Sequence, residues 1–221
     1  MRKYTLELRS RAKSEEPFES KHIMFIEKLK KLESPWSLEN LGSLPDIGDG
    51  LSVTVSLNKS VGKLFKGDLE YVFRGSTYLE DKAQYDDTLF IEFDPLKVDF
   101  SDIVSRVLPV YIDSFQCYRA TIQDSSITRN DWNQVVELCN STGKDIDGRD
   151  GVYRINAINY YDRELCQRAF GLSPQQIVDR LYGKIESVSL LFDGVMLIYS
   201  SKLLERDEIQ KIDAEVKALL A

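Results

Sequence analysis

The chain has 221 residues and a formal net charge of −7, because 36 side chains are acidic and 29 are Lys or Arg. Hydrophobic residues make up 43% and aromatic residues 10%, which is enough for a packed core and excludes a disordered or low-complexity chain. No apolar run reaches the roughly 18 residues of a membrane-spanning helix, and the N-terminal sequence lacks the apolar stretch of a secretory signal. The three cysteines, Cys117, Cys139 and Cys166, are too scattered for a disulfide framework. We therefore expect a soluble, cytoplasmic, globular protein.

A single histidine, His22, restricts the chemistry of the chain. Serine and cysteine hydrolases usually need a histidine base, and tetrahedral zinc would have to combine His22 with three distant cysteines. The motifs GxSxG, GxGxxG and GxxxxGK followed by Ser or Thr are absent, and with them the nucleophile elbow, the dinucleotide site and the phosphate-binding loop. We expect no catalytic residue, no metal and no cofactor, and we interpret His22 as a partly exposed side chain near a helix start.

Apolar periodicity predicts the elements of the first half. Alternation predicts strands over 3–9, 51–57, 69–73, 89–93 and 118–122, with a turn over 66–68 before the third of them. Apolar residues at helical spacing predict helices over 20–32 and 100–115. Pro109 lies inside the second helix and should kink or split it.

The second half opens with a helix over 130–140. Its apolar residues, from Trp132 to Cys139, predict a buried stripe. A strand over 152–158 and a helix over 163–170 are expected next, and Ser173 then begins a capping box for a helix that ends near Leu181. Alternation on both sides of Asp193-Gly194 predicts a hairpin, and a helix over 204–220 closes the chain.

Strands and helices follow each other without strict alternation, which predicts an α+β fold with mixed, mainly antiparallel sheets and helices packed on one face. We divide the chain into two α+β halves, residues 1–125 and 126–221. No segment between them resembles a linker, so we expect the halves to pack as one compact unit. The sequence leaves open whether they arose by duplication.

Acidic residues concentrate between positions 75 and 125. This region has ten acidic and four basic side chains, so its charge is 4 − 10 = −6. This cluster of acidic residues has four possible interpretations: a solvated surface, a binding site for a divalent metal ion, an acid/base pair formed by Glu92 and Asp94, or a surface that binds a basic protein. Among the functional readings we favour protein binding, and we expect no nucleic acid, since no basic stripe with aromatic residues is present. The candidate partner-binding residues are Glu80, Asp81, Asp86, Asp87, Glu92 and Asp94.

A second candidate lies between positions 144 and 166. Asp145, Asp147 and Asp150 stand among glycines as in a calcium loop. However, Arg149 occupies the fifth place, where an oxygen ligand is needed, Asp150 the sixth, where glycine is needed, and Asn156 the twelfth, where a bidentate glutamate is needed. An ordinary Asp/Gly turn is the better interpretation. The side chains that follow can form directional hydrogen bonds and ion pairs, which serve either the interior or an interface. Arg163 could also lower the pKa of the Cys166 thiol. They are candidate partner-binding residues: Tyr160, Tyr161, Asp162 and Arg163.

Three functions remain. The first is a non-enzymatic binding protein of the immunity or antitoxin kind, which neutralises a protein such as a basic toxin through its acidic surface. The second is a carboxylate- or metal-dependent hydrolase that uses Glu92 and Asp94. The third is a structural or assembly subunit whose strands pair with another copy. We favour the first, and the sequence leaves the partner and the oligomeric state open.

Overall fold

A computed structural model describes residues 2–38, 41, 44, 52–57, 65–74 and 85–221. The chain forms two compact units. The first contains Thr5–Cys117, and the second contains Arg2–Tyr4 together with Tyr118–Ala221. The division falls earlier than the one after residue 125 that the sequence suggested.

The first unit contains four strands in the order β2-β3-β4-β1. The β2–β3 and β3–β4 pairs are antiparallel. Inward side chains alternate with outward ones along β2, as the predicted period of two requires. The strands are β1 (Tyr4–Arg11), β2 (Ser52–Ser56), β3 (Phe65–Val72) and β4 (Asp86–Phe93).

Gly67 corrects the predicted turn over 66–68, because β3 runs straight through these residues. Its φ of +152° and its position against β4 are open only to glycine: an added Cβ atom would lie 1.8 Å from the Phe90 carbonyl oxygen. The glycine marks a close approach of two strands and not a turn.

Two helices of the first unit pack against each other. The predicted helix over 100–115 divides at the position that Pro109 dictates. An α-helical turn and a π-helical turn (Ile103–Val107) precede α2, which begins at Leu108, so the residue without an N–H lies in the first turn. Phe25 of α1 packs edge-on against Tyr111 and Phe115 of α2. The helices are α1 (Phe18–Leu29) and α2 (Leu108–Phe115).

The second unit also contains four strands, in the order β5-β6-β8-β7, and every neighbouring pair is antiparallel. The predicted strand over 152–158 is wrong, because that segment is irregular and the strand begins only at Ile158. The hairpin is confirmed, but its turn is Phe192-Asp193, and Gly194 already pairs in β8. The strands are β5 (Arg119–Asp124), β6 (Ile158–Tyr161), β7 (Ser187–Leu191) and β8 (Gly194–Ile198).

Four helices complete the second unit, and the capping box predicted at Ser173 is present. Asp162 accepts a hydrogen bond from the Leu165 N–H, and Ser173 forms the expected capping box with Gln176. The helices are α3 (Ser125–Thr142), α4 (Arg163–Phe170), α5 (Pro174–Leu181) and α6 (Arg206–Leu220). The fold class is therefore α+β, as predicted. None of the helices among the described residues combines the length and the apolar character that crossing a membrane requires.

Candidate functional site

The acidic candidates among the described residues do not form the exposed face that the sequence suggested. Asp86, Asp87 and Asp94 are buried and Glu92 is half-buried. Glu80 and Asp81 lie outside the described residues. A partner-binding role for this group stays a prediction from sequence, and its described members serve the interior of the first unit.

Asp87 is the centre of a buried ionic cluster. Lys21 of α1 donates to its Oδ2 at 2.8 Å, and Arg74 donates to both carboxylate oxygens at 2.7 and 2.8 Å. The Val72 N–H donates to Oδ1 as well. Burial alone would raise the pKa of Asp87, but the hydrogen bonds from Arg74 and the charge of Lys21 bring it below its usual value. Because the Asp87 carboxylate is fully paired, it joins α1 to the sheet and is not accessible to a partner protein.

Glu92 and Asp94 do not form the predicted pair on one strand face. Strand β4 ends at Phe93, and Asp94 lies beyond it, where its carboxylate accepts a hydrogen bond from the Leu96 N–H. This is a capping role, which turns the chain out of the sheet at Asp94-Pro95. Of this pair, Glu92 therefore lies on β4 and Asp94 serves as a cap beyond the strand.

His22 is buried, whereas the sequence suggested partial exposure. Its Nδ1 lies 3.3 Å from the Tyr71 hydroxyl, and the two rings meet edge to face. Burial raises the pKa of Tyr71, so its hydroxyl stays protonated. The histidine belongs to the packing between α1 and β3.

The segment from Tyr160 to Arg163 is also mainly structural. Tyr160, Tyr161 and Asp162 are buried, and only Arg163 is exposed. The Tyr160 hydroxyl donates to Asp193 at 3.0 Å, which fixes the hairpin turn against β6. Of this group, Arg163 alone is placed to meet a partner.

The Asp/Gly segment before it forms a turn, as predicted. Asp145 and Asp150 accept hydrogen bonds from backbone N–H groups within the turn. Asp147 forms an ion pair of 2.7 Å with the buried Arg119. Across the described part of the chain, no three His, Cys, Asp or Glu side chains are grouped to hold a metal ion.

The cysteine interpretations have mixed outcomes. Burial raises the pKa of the Cys166 thiol to about 12, so the lowering that Arg163 suggested is wrong. Cys117 is also buried, and its thiol pKa is raised for the same reason. Cys139 is only half-buried, because it lies on the flank of an exposed helix.

Helix α3 carries the largest departure from the sequence prediction. Ile127 is its only buried residue, and Trp132, which we expected in the core, is 59% exposed. The side of α3 that faces the protein makes polar contacts beside Ile127: Asp131 binds Arg154 with both carboxylate oxygens, and Gln134 accepts a 2.6 Å hydrogen bond from Tyr153.

Helical geometry explains why Trp132 points outward. At 3.6 residues per turn, Trp132 lies about 140° around the helix axis from Ile127. Val136 lies about 180° from Ile127, on the opposite side of the helix. Both residues are exposed. The contact with Tyr153 and Arg154 thus turns the predicted apolar stripe toward solvent. We call Trp132 and Val136, with the half-buried Val135 and Cys139 beside them, the α3 face.

A second apolar surface lies at the β7–β8 hairpin, where Leu190 is 52% and Phe192 57% exposed. They line a hollow of about 290 Å³ with Pro174, Arg163 and the neighbouring residues Ser173, Gln175, Asp193 and Gly194. The sequence prediction placed Leu190 and Phe192 only in a hairpin. The sequence signal for this apolar surface is that Ser187–Leu191 contains no charged residue.

Comparison with known proteins gives no assignment. No family model matches the chain, and no curated protein matches it in sequence. The function is therefore inferred from the residues themselves.

Proposed function

We propose that the chain is a non-enzymatic binding protein of the immunity or antitoxin kind, which binds a basic protein partner through the α3 face. One observation carries this proposal: Trp132 is 59% exposed in the middle of an ordered 18-residue helix. Tryptophan is the residue type most enriched among interface hot spots, where a few side chains supply most of the binding energy.

The support of α3 makes this face a rigid platform. Asp124 caps its start by accepting from the Ser126 N–H, and Gly143 ends it in the left-handed conformation. Its middle is held by the Asp131–Arg154 ion pair. A surface that is ordered before binding loses little conformational entropy on docking, so more of the contact energy appears as affinity.

The charge of the chain favours a basic partner. With a net charge of −7, the protein attracts cationic proteins over a distance of about 8–10 Å at physiological salt, which raises the association rate. Blocking a basic enzyme by covering its active site is the function that this combination of long-range charge and apolar anchor serves best. The immunity or antitoxin role is inferred by analogy with the general character of such proteins.

The interior positions of the carboxylates support a non-enzymatic role. Asp87 is neutralised by two cations, Asp94 caps a turn and Asp162 caps a helix. Each of these groups has a structural role in the fold, and none lies in the hollow at the hairpin.

The test compares three immobilised proteins: wild type, Trp132→Ala, and Leu96→Ala as a control that removes another highly exposed apolar side chain. A partner identified by co-purification is titrated against each. Truncating a hot-spot tryptophan should weaken binding by about 30-fold or more, which corresponds to about 2 kcal/mol. Leu96→Ala should bind like wild type. Equal affinity of all three proteins would refute the proposal.

A further inference from the structure

Strand β7 is the outer strand in the strand order of the second unit, whose residues are all described. Its sequence, Ser-Val-Ser-Leu-Leu, contains no charge and no proline, and all five residues are exposed or half-buried. Natural edge strands are usually protected from pairing by lysines, prolines, bulges or a covering segment. Helix α5 contacts β7 and the strand is short, but no charge or proline along it opposes pairing with a further strand.

The register of the hairpin shows which backbone groups of β7 are open. Leu191 pairs with Gly194 across the two-residue turn. In such a hairpin the closing pair exchanges hydrogen bonds, and bonded and non-bonded pairs then alternate along the ladder. The N–H and C=O groups of Val188 and Leu190 therefore point away from β8. Within the described part of the chain, neither residue makes a backbone hydrogen bond to another segment.

We propose that β7 pairs with β7 of a second copy of this chain, antiparallel and centred on Ser189. This register places Val188 of each copy opposite Leu190 of the other, so that each pair exchanges two backbone hydrogen bonds. Their aliphatic side chains share one face of the new ladder and pack as cross-strand pairs. The arrangement is two-fold symmetric, as in most homodimers.

Charges at the two ends of β7 favour a second copy as the occupant. Lys184 and Glu186 precede the strand, and Asp193 follows it, with Arg163 beside the same hollow; all four are exposed. Antiparallel pairing brings the start of one strand against the end of the other. Lys184 then lies near Asp193 of the second copy, so opposite charges meet at each end of the new ladder. Glu186 falls opposite Phe192, and its carboxylate already accepts a hydrogen bond from the Ser201 N–H.

Phe192 points to the same surface by an independent observation. Its φ is +52°, a left-handed conformation that glycine, asparagine or aspartate adopt far more readily in a hairpin turn. A phenylalanine held in this conformation is strained, and such strain concentrates at active sites, ligand clamps and switch regions. In the proposed dimer, Phe192 lies at the end of the new ladder and is covered by the residues that precede β7 of the second copy.

Cysteine cross-linking tests the register directly. Ser189 is opposite itself across the two-fold axis in a non-hydrogen-bonded pair, where Cα atoms lie about 4.5 Å apart, within the range of a disulfide. In a Cys139→Ser background, Ser189→Cys should give a disulfide-linked dimer under mild oxidation with diamide. Ser187→Cys, on the same exposed strand, is the control. Its two copies would lie about 13 Å apart, so it should form no disulfide-linked dimer.

Sedimentation velocity tests the backbone hydrogen bonds without any cross-link. Wild type should dimerise weakly, with a dissociation constant of about 10 µM. Val188→Pro removes an N–H that points away from β8, so it should abolish dimerisation and keep the hairpin. Val188→Thr keeps the N–H and the branched shape, and it should dimerise like wild type.

Three results would overturn the proposal: a wild type that stays monomeric at 200 µM, equal cross-linking of the two cysteine variants, or dimerisation that survives Val188→Pro. Each variant is first checked for its circular dichroism spectrum and melting temperature, since Ser187, Ser189 and Val188 are not buried and should tolerate substitution. None of these measurements involves Trp132 or a second protein, so they are independent of the proposed function.

Discussion

Lys21 Nζ lies 2.8 Å from Asp87 Oδ2, and neither side chain is exposed to solvent. Arg74 donates to the same carboxylate, so two cations share one anion inside the first unit. Ser10 of β1 accepts a further hydrogen bond from Lys21 at 2.7 Å. Through these contacts one cluster links α1, β1, β3 and β4, and its loss should be felt across the whole unit.

Removing the anion of this cluster should destabilise the protein strongly. Asp87→Asn removes the close anion that Lys21 and Arg74 share in a buried site and leaves Lys21 with the weaker 4.0 Å contact to Glu16, which costs about 3–5 kcal/mol. Asp102→Asn is the control, because it removes a surface ion pair with Arg106 and should cost less than about 1 kcal/mol. Urea unfolding of the two variants measures the difference. Similar losses in both would mean that the buried cluster contributes little.

The cluster also predicts how stability depends on pH. The folded-state pKa of Asp87 lies below the ordinary value of about 3.9, so its contribution is fully present above that value and is lost as the pH falls through the folded pKa. The gap in unfolding free energy between wild type and Asp87→Asn should therefore narrow below pH of about 4. Unfolding curves between pH 6 and pH 2 test this, and a constant gap would contradict it.

Two glycines should respond very differently to alanine. At Gly67 the new Cβ atom would lie 1.8 Å from the Phe90 carbonyl oxygen, so β3 and β4 would have to separate. At Gly143 nothing lies within 4 Å and only the left-handed φ of +67° opposes the change. Gly143→Ala should cost about 1 kcal/mol and Gly67→Ala more than about 3 kcal/mol. Thermal unfolding measures the stabilities of the two variants. If Gly143→Ala were the less stable one, the close pairing of β3 with β4 at Gly67 would be contradicted.

The three thiols should differ in reactivity. Cys117 and Cys166 are buried and their thiol pKa values are raised, whereas Cys139 lies half-exposed on α3. At pH 8 a disulfide reagent such as Ellman's should modify Cys139 first, and the other two only after unfolding. Cys139→Ser should lose the fast phase. A fast phase that persists in this variant would show that an interior thiol is accessible.

Local signals predicted much of the fold. The Ser173 capping box, the end of β4 at Asp94-Pro95 and the division of the helix at Pro109 all depend on neighbours in sequence, and each was confirmed. The turn expected at Gly67 was wrong, because the glycine accommodates the close approach of a neighbouring strand, which no local pattern encodes.

The surface was harder to predict than the fold. The charge count could not show that Asp87 is enclosed by Lys21 and Arg74, since Lys21 is distant in sequence. The apolar stripe of α3 indicated burial, but the Asp131–Arg154 ion pair turns the opposite side of the helix inward. In both cases a long-range polar contact decided which side chains remain at the surface.

The central claim is that Trp132 anchors a protein partner, and its fluorescence tests this most directly. The chain has two tryptophans, and Trp36 is buried among Phe65, Phe93 and Tyr111. In Trp36→Phe, Trp132 is the only tryptophan of the chain, and its emission should be that of an indole in water. Trp132→Phe should instead show the blue-shifted emission of Trp36.

The decisive measurement is the emission of Trp36→Phe, titrated with the co-purified partner after the partner's own emission is subtracted, with binding followed in parallel by calorimetry. Burial of Trp132 in the interface should shift its emission to shorter wavelength in proportion to the calorimetric saturation, and iodide should cease to quench it. Saturation of binding with unchanged emission and unchanged quenching would contradict the account, because the partner would then bind away from α3.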